Sequence, residues 1–173
     1  MKHEYIGGVV YAMSGATNLH NVIAMNTIEA FLKGMQGDRC RVYNSDTKVR
    51  VRFPDHTRFY YPDVQVICRP VDLKLTFLDE PTLIVEVVSP SSHRTDRQEK
   101  RDAYLSVNSV HVYIILEQNG VDATVWRRTS SGFKQERYVG LKSVVPLPEI
   151  GAVLPLVKVY RDATFPAEAD AEE

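Results

Sequence analysis

Cysteine is scarce in this 173-residue chain: Cys40 and Cys68 are the only two, and neither belongs to a CxxC or Cys/His spacing. A zinc cluster or disulfide framework therefore has no support, and two separate core thiols in a reducing cytoplasm are expected. Long apolar runs are missing as well. No stretch approaches the ~18 residues of a membrane helix, and the opening MKHEYIGGVVYAM has no charged start followed by a long apolar block. The expectation is a soluble, cytoplasmic protein with no membrane partner. A strong charge of either sign is absent too, the formal net being −1. Glu168, Asp170, Glu172 and Glu173 crowd the terminal PAEADAEE, and setting those four aside turns −1 into +3. So mild a surplus permits nucleic acid as a partner without requiring it. With no repeat and no composition break, residues 1–166 read as a single domain and 167–173 as an acidic, disordered tail.

What the chain does have is apolar content, 44% by composition, patterned for a mixture of strands and helices. GGVVYAM, from Gly7 to Met13, is short, β-branched and bounded by glycine and Ser14-Gly15, as a strand should be. Val22, Met25, Ile28, Leu32 and Met35 recur at three- and four-residue steps, which predicts a helix from Thr17 to about Gly37. Thr17 or Asn18 can cap its start and Gly34 or Gly37 its end. RCRVYN and TKVRVRF read as two strands, the second alternating Val49, Val51 and Phe53 with Lys48, Arg50 and Arg52 in the manner of a sheet with one wet face. After a turn at Pro54–Thr57, DVQVIC (Asp63 to Cys68) forms another strand, and residues 69–81 a loop. TLIVEVV (Thr82 to Val88) has the continuous apolar character of a central strand covered on both sides. SPSSHRTDRQEKRDAYLSV predicts a helix capped by Ser91 or Ser92, and HVYIIL a second buried strand. VDATVWRRT and GFKQERYVG form a hairpin about Ser130-Ser131-Gly132, after which prolines at 146, 148 and 155 suggest an irregular segment with short strands.

One residue breaks the central strand. Alternation sends Leu83, Val85 and Val87 to one side and Thr82, Ile84, Glu86 and Val88 to the other, so Glu86 is an acid inside an apolar run. An unpaired buried carboxylate costs several kcal/mol or becomes neutral. Three arrangements relieve that cost: an Arg or Lys partner, a protonated carboxyl with hydrogen bonds, or a divalent metal shared with a second acid. Asp63 follows a proline at the opening of a β-rich segment, where it can reach the edge of a neighbouring strand and share a hard cation such as Mg²⁺. On the helix that follows, Asp96, Lys100 and Tyr104 stand at i, i+4 and i+8 and so share a face. An Asp–Lys pair at that spacing is usually a solvated ion pair, but this helix begins soon after Glu86 and its docked face can turn Lys100 toward the acids.

Taken in order, Y-P-D at 61–63, E-V-V-S-P-S-S at 86–92, D-R-Q-E-K at 96–100 and Tyr104 resemble the Uma-type endonucleases, small bacterial members of the PD-(D/E)XK superfamily. Residues 4–20, EYIGGVVYAMSGATNLH, and 39–51, RCRVYNSDTKVRV, extend the likeness, which covers Glu4 to about Tyr160. The resemblance implies an α/β (α+β) fold of the restriction-endonuclease type, a mixed central sheet flanked by helices. It also implies Asp63 and Glu86 as ligands of Mg²⁺ or Mn²⁺, with the backbone carbonyl of Val87 as a third donor. Superfamily members ordinarily place a lysine two residues after the acid, where this chain has Val88; the family's lysine is displaced onto the next helix and maps onto Lys100. Glu4 and His20 correspond to polar positions near the family's site, with Asp96 and Tyr104 as further auxiliaries. Two departures accompany the likeness: relatives carry an additional helical segment before the position of Glu4, and Asn108-Ser109 stands where a glycine often follows the helix.

The expected activity is that of a Mg-dependent endonuclease acting on DNA, with Lys48, Arg50, Arg52 and Arg97 as nucleic-acid contacts, joined by Arg94 and Arg101 with Tyr43 or Tyr60 nearby. Basic residues alternating along an exposed strand are equally the mark of a merely solvated face. A homodimer is expected from the resemblance. The competing readings are a catalytically silent nucleic-acid-binding or scaffolding domain of the same fold, and a small oligomeric structural protein with a buried ion pair.

Overall fold

The alternation within TLIVEVV organises the molecule. In the computed structural model, which describes residues 3–6, 9–12, 16–37, 39–88 and 94–165, all six residues of this strand are buried. Side chains are described for all of these residues except 4, 6, 11, 12 and 94–97. In chain order the elements are β1 (His3–Ile6), β2 (Val9–Ala12), α1 (Asn18–Gly34), β3 (Arg41–Asn44), β4 (Lys48–Arg52), β5 (Thr57–Tyr60), β6 (Val64–Ile67), β7 (Phe77–Leu78) and β8 (Leu83–Val88). They continue with α2 (Arg94–Leu105), β9 (Val112–Glu117), β10 (Asp122–Thr129), β11 (Gly132–Val139), β12 (Val144–Leu147), β13 (Ala152–Pro155) and α3 (Leu156–Val159), with a 3₁₀ turn at Pro148–Ile150.

Leu83, Val85 and Val87 enter a core completed by Ile23 and Phe31 of α1 and by Leu147, Leu154 and Leu156 near the C-terminus. Ile84 and Val88, on the opposite face, join a core made with Val49, Val51, Tyr60, Tyr104 and Tyr113. Apolar side chains on both faces of one strand are what a central strand requires, and each fully buried Val, Leu or Ile contributes roughly 1.5–3 kcal/mol. The strand order of the main sheet is β11-β10-β9-β8-β6-β3, with β8 and β9 parallel across the α2 crossover and β6 antiparallel to β8. A five-stranded sheet, β2-β1-β5-β4-β7, packs its inner face on the second core, and β12 and β13 form a separate hairpin. The mixed central sheet flanked by helices is therefore present as expected.

Thr17 caps α1, its Oγ1 accepting from the His20 backbone N–H at 3.1 Å, and the helix ends at Gly34, one of the two expected ends, followed by an extended Met35. The segments RCRVYN and TKVRVRF are both strands but belong to different sheets, because β3 pairs β6 and β4 pairs β5. Local alternation is blind to that choice. β7 falls in the segment expected as a loop, and β5 starts at the last residue of the expected turn and runs through residues for which the sequence predicts no element. Residues after 143 are more ordered than their prolines suggest: Asn26 Nδ2 donates to the carbonyls of Val159, at 3.1 Å, and Arg161, at 2.7 Å, tying α3 to α1.

The cysteines require a correction. Cys40 and Cys68, expected as separate thiols, are joined in a disulfide. The β3–β6 register pairs Arg41 with Ile67, and one step outward brings the two cysteines face to face, a long-range pairing to which a search for short spacings is insensitive. The expected caps Ser91 and Ser92 and the acidic tail lie outside the described residues. No helix among the described residues is long and apolar enough to cross a membrane.

Candidate active site

β6 and β8 run antiparallel with Val64 opposite Val85, and one step further along that register sets Asp63 opposite Glu86. Directly opposed residues on an antiparallel pair project to the same side with Cβ atoms ~5 Å apart. Asp63 stands just before β6, and its carboxylate reaches the backbone beside Glu86 near the end of β8. Neighbouring donors fix each of them. Asp63 Oδ2 accepts the Val87 backbone N–H at 2.8 Å and lies 3.1 Å from His20 Nε2. Glu86, only 7% exposed, accepts the Tyr104 hydroxyl at Oε1 over 3.0 Å.

The phenol of Tyr104 is itself held. Its ring is fully buried, meets Tyr60 edge-on at 5.4 Å between centroids, and lies 5.6 Å from Tyr113. Tyr60 donates to Glu99 of α2, which also pairs with Arg58 of β5, so this trio clamps the helix to the second sheet. Burial, reinforced by the Glu99 carboxylate, pushes the Tyr60 hydroxyl well above its ordinary value and keeps it a donor. His20 reaches Asp63 because Thr17 pins the start of α1, donating to Gln118 Oε1 just past β9 at 2.9 Å. Burial opposes charging of the His20 ring, but the hydrogen bond and charge of Asp63, with help from Asn21 and the Val87 backbone, outweigh it and raise its pKa.

Lys100 lies half-buried on α2, one turn before Tyr104 and so on the same helix face. Glu4 falls in β1, and Asp96 and Arg97 in the first turns of α2; the side chains of these three lie outside the described residues. The cations of β4 are elsewhere. Lys48, Arg50 and Arg52 alternate with Val49 and Val51, whose side chains fill the core beneath the acids, so the three project from the far face of the second sheet. Tyr60, considered as a contact for nucleic acid, is fully buried and points to Glu99 instead.

Sequence reasoning did not find the Arg58–Glu99–Tyr60 trio. Arg58 and Tyr60 share β5 but Glu99 comes from α2, in a charged run where nothing marks it apart from its neighbours. Gln65 was also missed: it is fully buried on the same strand face as Asp63, with Nε2 donating to the Thr47 carbonyl at 2.6 Å.

Among the described residues no group of three or more His, Cys, Asp and Glu side chains gathers at metal-holding separations. The carboxylates of Asp63 and Glu86 offer oxygen donors alone. That suits a hard cation which retains several waters, rather than zinc. Both contacts to Asp63 fall on Oδ2, leaving Oδ1 for a further ligand.

A cavity of about 360 Å³ lies at the opposite end of the sheet, lined by Cys68 beyond β6, Thr82 before β8 and His111 before β9, with Arg69, Glu80 and Glu149. Arg69 pairs there with Glu80, and Glu149 Oε1 pairs with Arg127 from outside the lining, while Arg39 also borders the cavity and Glu149 Oε2 is buried with no hydrogen-bond partner among the described residues.

Known proteins bear on this geometry. A family model described as Uma2, "Putative restriction endonuclease", matches residues 1–156. An uncharacterized protein of Synechocystis sp. is 30% identical over 165 residues, covering 95% of this chain and 86% of that protein. Another uncharacterized protein of the same organism is 29% identical over 121 residues, covering 68% of this chain and 67% of its own length. In structure the chain is similar to a putative nuclease of the DUF820 group from Anabaena variabilis, with a TM-score of 0.73, 17% identity, and coverage of 91% of this chain and 89% of that one.

Proposed function

This chain belongs to the Uma2 family of putative restriction endonucleases, and from that premise we propose that it is a metal-dependent endonuclease hydrolysing phosphodiester bonds in DNA. The observation that carries the reading is that Asp63 accepts the backbone N–H of Val87, the residue next to Glu86 on β8, while Tyr104 donates to Glu86, so two neighbouring carboxylates are each oriented by a hydrogen bond. Asp63, Glu86 and the carbonyl of Val87 would hold Mg²⁺ or Mn²⁺ through hard oxygens. When bound, such an ion supplies Lewis-acid polarisation of the scissile phosphate and acidifies water.

The protein's own groups do the rest. Tyr104 fixes the Glu86 carboxylate by donating to Oε1, and the Val87 N–H fixes Asp63. Lys100, on the helix face it shares with Tyr104, orients the attacking water and offsets the charge that gathers on phosphorus as the water oxygen adds. The P–O ester bond then breaks, one fragment leaving with a 5′ or 3′ phosphate and the other with a hydroxyl that has taken up a proton. His20 Nε2, 3.1 Å from Asp63 Oδ2, shares that oxygen with the Val87 N–H.

Incubation of the purified protein with plasmid and with single-stranded DNA, in Mg²⁺ or Mn²⁺, tests the activity directly. Nicking or degradation that disappears in Asp63→Asn and Glu86→Gln and drops in Lys100→Ala is expected. Cleavage unaffected by Lys100→Ala removes the role given to that residue. Calorimetric titration with Mn²⁺ tests the ion separately: binding by wild type that Asp63→Ala and Glu86→Ala abolish supports the site, and no binding by wild type eliminates it.

A further inference from the structure

The five-stranded sheet has two unlike faces. Its inner face, with Val49, Val51 and Tyr60, is fully buried in the second core. On its outer face the register aligns Val10 with Tyr5, Tyr5 with Phe59, and Phe59 with Arg50, a single row across β2, β1, β5 and β4. Lys48 and Phe77 form the next row, on β4 and β7.

Rings and cations interleave on this surface. Phe59 and Phe77 meet edge-on at 6.0 Å, Lys48 Nζ lies 5.0 Å from the centre of the Phe59 ring, and the Arg50 guanidinium sits 4.2 Å over Phe77. Arg50 is also held by Asp79, with Nε donating at 2.8 Å, and Arg52 approaches the same carboxylate at 3.6 Å. Among the described residues, Arg50 and Arg52 share the Asp79 carboxylate while Lys48 lies over Phe59, so the surplus on β4 is positive. Tyr5 is 41% exposed, Val10 60%, and the Arg52 side chain 65%. An exposed apolar patch near a sheet edge is a liability unless something covers it. The occupant that suits this one has flat π faces joined by negative charges.

We propose that the outer face of this sheet, through Tyr5, Phe59 and Phe77 with Lys48 and Arg52, is a stacking platform for single-stranded nucleic acid. Aromatic side chains stack on unpaired bases whatever their sequence, while cations recurring every second residue, ~6.8 Å apart along a strand, follow the phosphates. A duplex keeps its base faces inside its own stack and has nothing to lay on these rings. The inference deepens the nuclease reading, on which it rests for the relevance of nucleic acid, by naming an unpaired strand as the substrate class. The platform lies on the other side of the sheet whose Tyr60 touches Tyr104, with that sheet and the second core between it and Glu86.

Fluorescence anisotropy with a labelled thymidine oligomer and a hairpin duplex of equal length, in EDTA so that no cleavage intervenes, is the test. The single strand binds at least about 10-fold tighter than the duplex. Tyr5→Ala and Phe59→Leu each weaken it roughly 5- to 150-fold, the range for one lost base stack, and Tyr5→Phe restores affinity. Lys48→Gln lowers the salt slope by about 0.7, the value for one phosphate contact on a single strand. Circular dichroism checks that each variant is folded; Tyr5 is exposed enough for its substitution to leave the fold intact. Equal affinity for duplex and single strand, or affinity indifferent to both aromatic substitutions, overturns the platform even if DNA is cleaved in Mg²⁺. Aromatic-dependent binding of the single strand without cleavage in Mg²⁺ upholds the platform and overturns the nuclease reading instead.

Discussion

The two faces of β8 share six residues of backbone and differ in what their side chains are asked to do. Leu83, Val85 and Val87 enter a largely aliphatic core with Phe31 of α1, whose one buried phenol, Tyr160, donates to main-chain carbonyls and, among the described residues, to no carboxylate. Ile84, Glu86 and Val88 enter a smaller core in which three tyrosines, Tyr60, Tyr104 and Tyr113, surround the strand. Phenols are apolar over most of their surface and carry one donor, so they pack like phenylalanine yet satisfy a carboxylate at the rim. The difference explains how an acid survives on one face of a strand whose other face is pure hydrocarbon.

The largest effect that tests this contrast is on activity. Glu86→Gln keeps the size and the Tyr104 hydrogen bond but removes the charge, and cleavage should fall to background while far-UV circular dichroism is unchanged. Loss of fold in that variant would mean that the acid serves packing, and the contrast would fail. On the opposite face, Leu83→Ala should cost about 2–5 kcal/mol by urea unfolding, the range for a buried aliphatic truncation. Specific activity of the molecules that remain folded should then be preserved; a parallel collapse of activity would show the two faces to be one functional unit.

Tyr104→Phe probes the boundary between them, removing one hydroxyl from an otherwise conserved ring. A partner that orients a ligand typically affects metal affinity or activity by about 10–100-fold, and the loss expected here falls in that range. Unchanged Mn²⁺ affinity in this variant would reduce the phenol to packing.

The smallest effect is a pH dependence from His20. Its pKa is raised in the folded protein, so its contribution to stability is fully present below the unfolded value of ~6.5 and disappears as pH rises through the folded one. The urea midpoint of wild type should therefore fall more between about pH 6 and pH 8.5 than that of His20→Gln. Identical pH profiles would remove the ion pair with Asp63 as a contributor.

Glu86 was legible because a single acid in TLIVEVV violates an otherwise uniform pattern, and Tyr104 because helical spacing set it on the face of Lys100. His20 was legible only through a resemblance, since its approach to Asp63 depends on how α1 docks. The Arg58–Glu99–Tyr60 trio, the Cys40–Cys68 bond and the assignment of β3 and β4 to separate sheets all escaped. Each is a long-range relation between segments whose local patterns are ordinary. The outer face of the second sheet was read as a row of cations, and its aromatic members became apparent only when β1, β5 and β7 were aligned beside β4.

By itself the sequence determined where strands and helices form, which strand is central, and that an acid interrupts it, because periodicity and burial preference act over a few neighbouring residues. Tertiary structure alone decided that Asp63 reaches the backbone beside that acid, that Tyr104 holds it, and that rings from three strands share a surface with the lysine and arginines of β4. Such relations are set by register and docking, and those follow from the summed packing of the whole chain and not from any one segment of it.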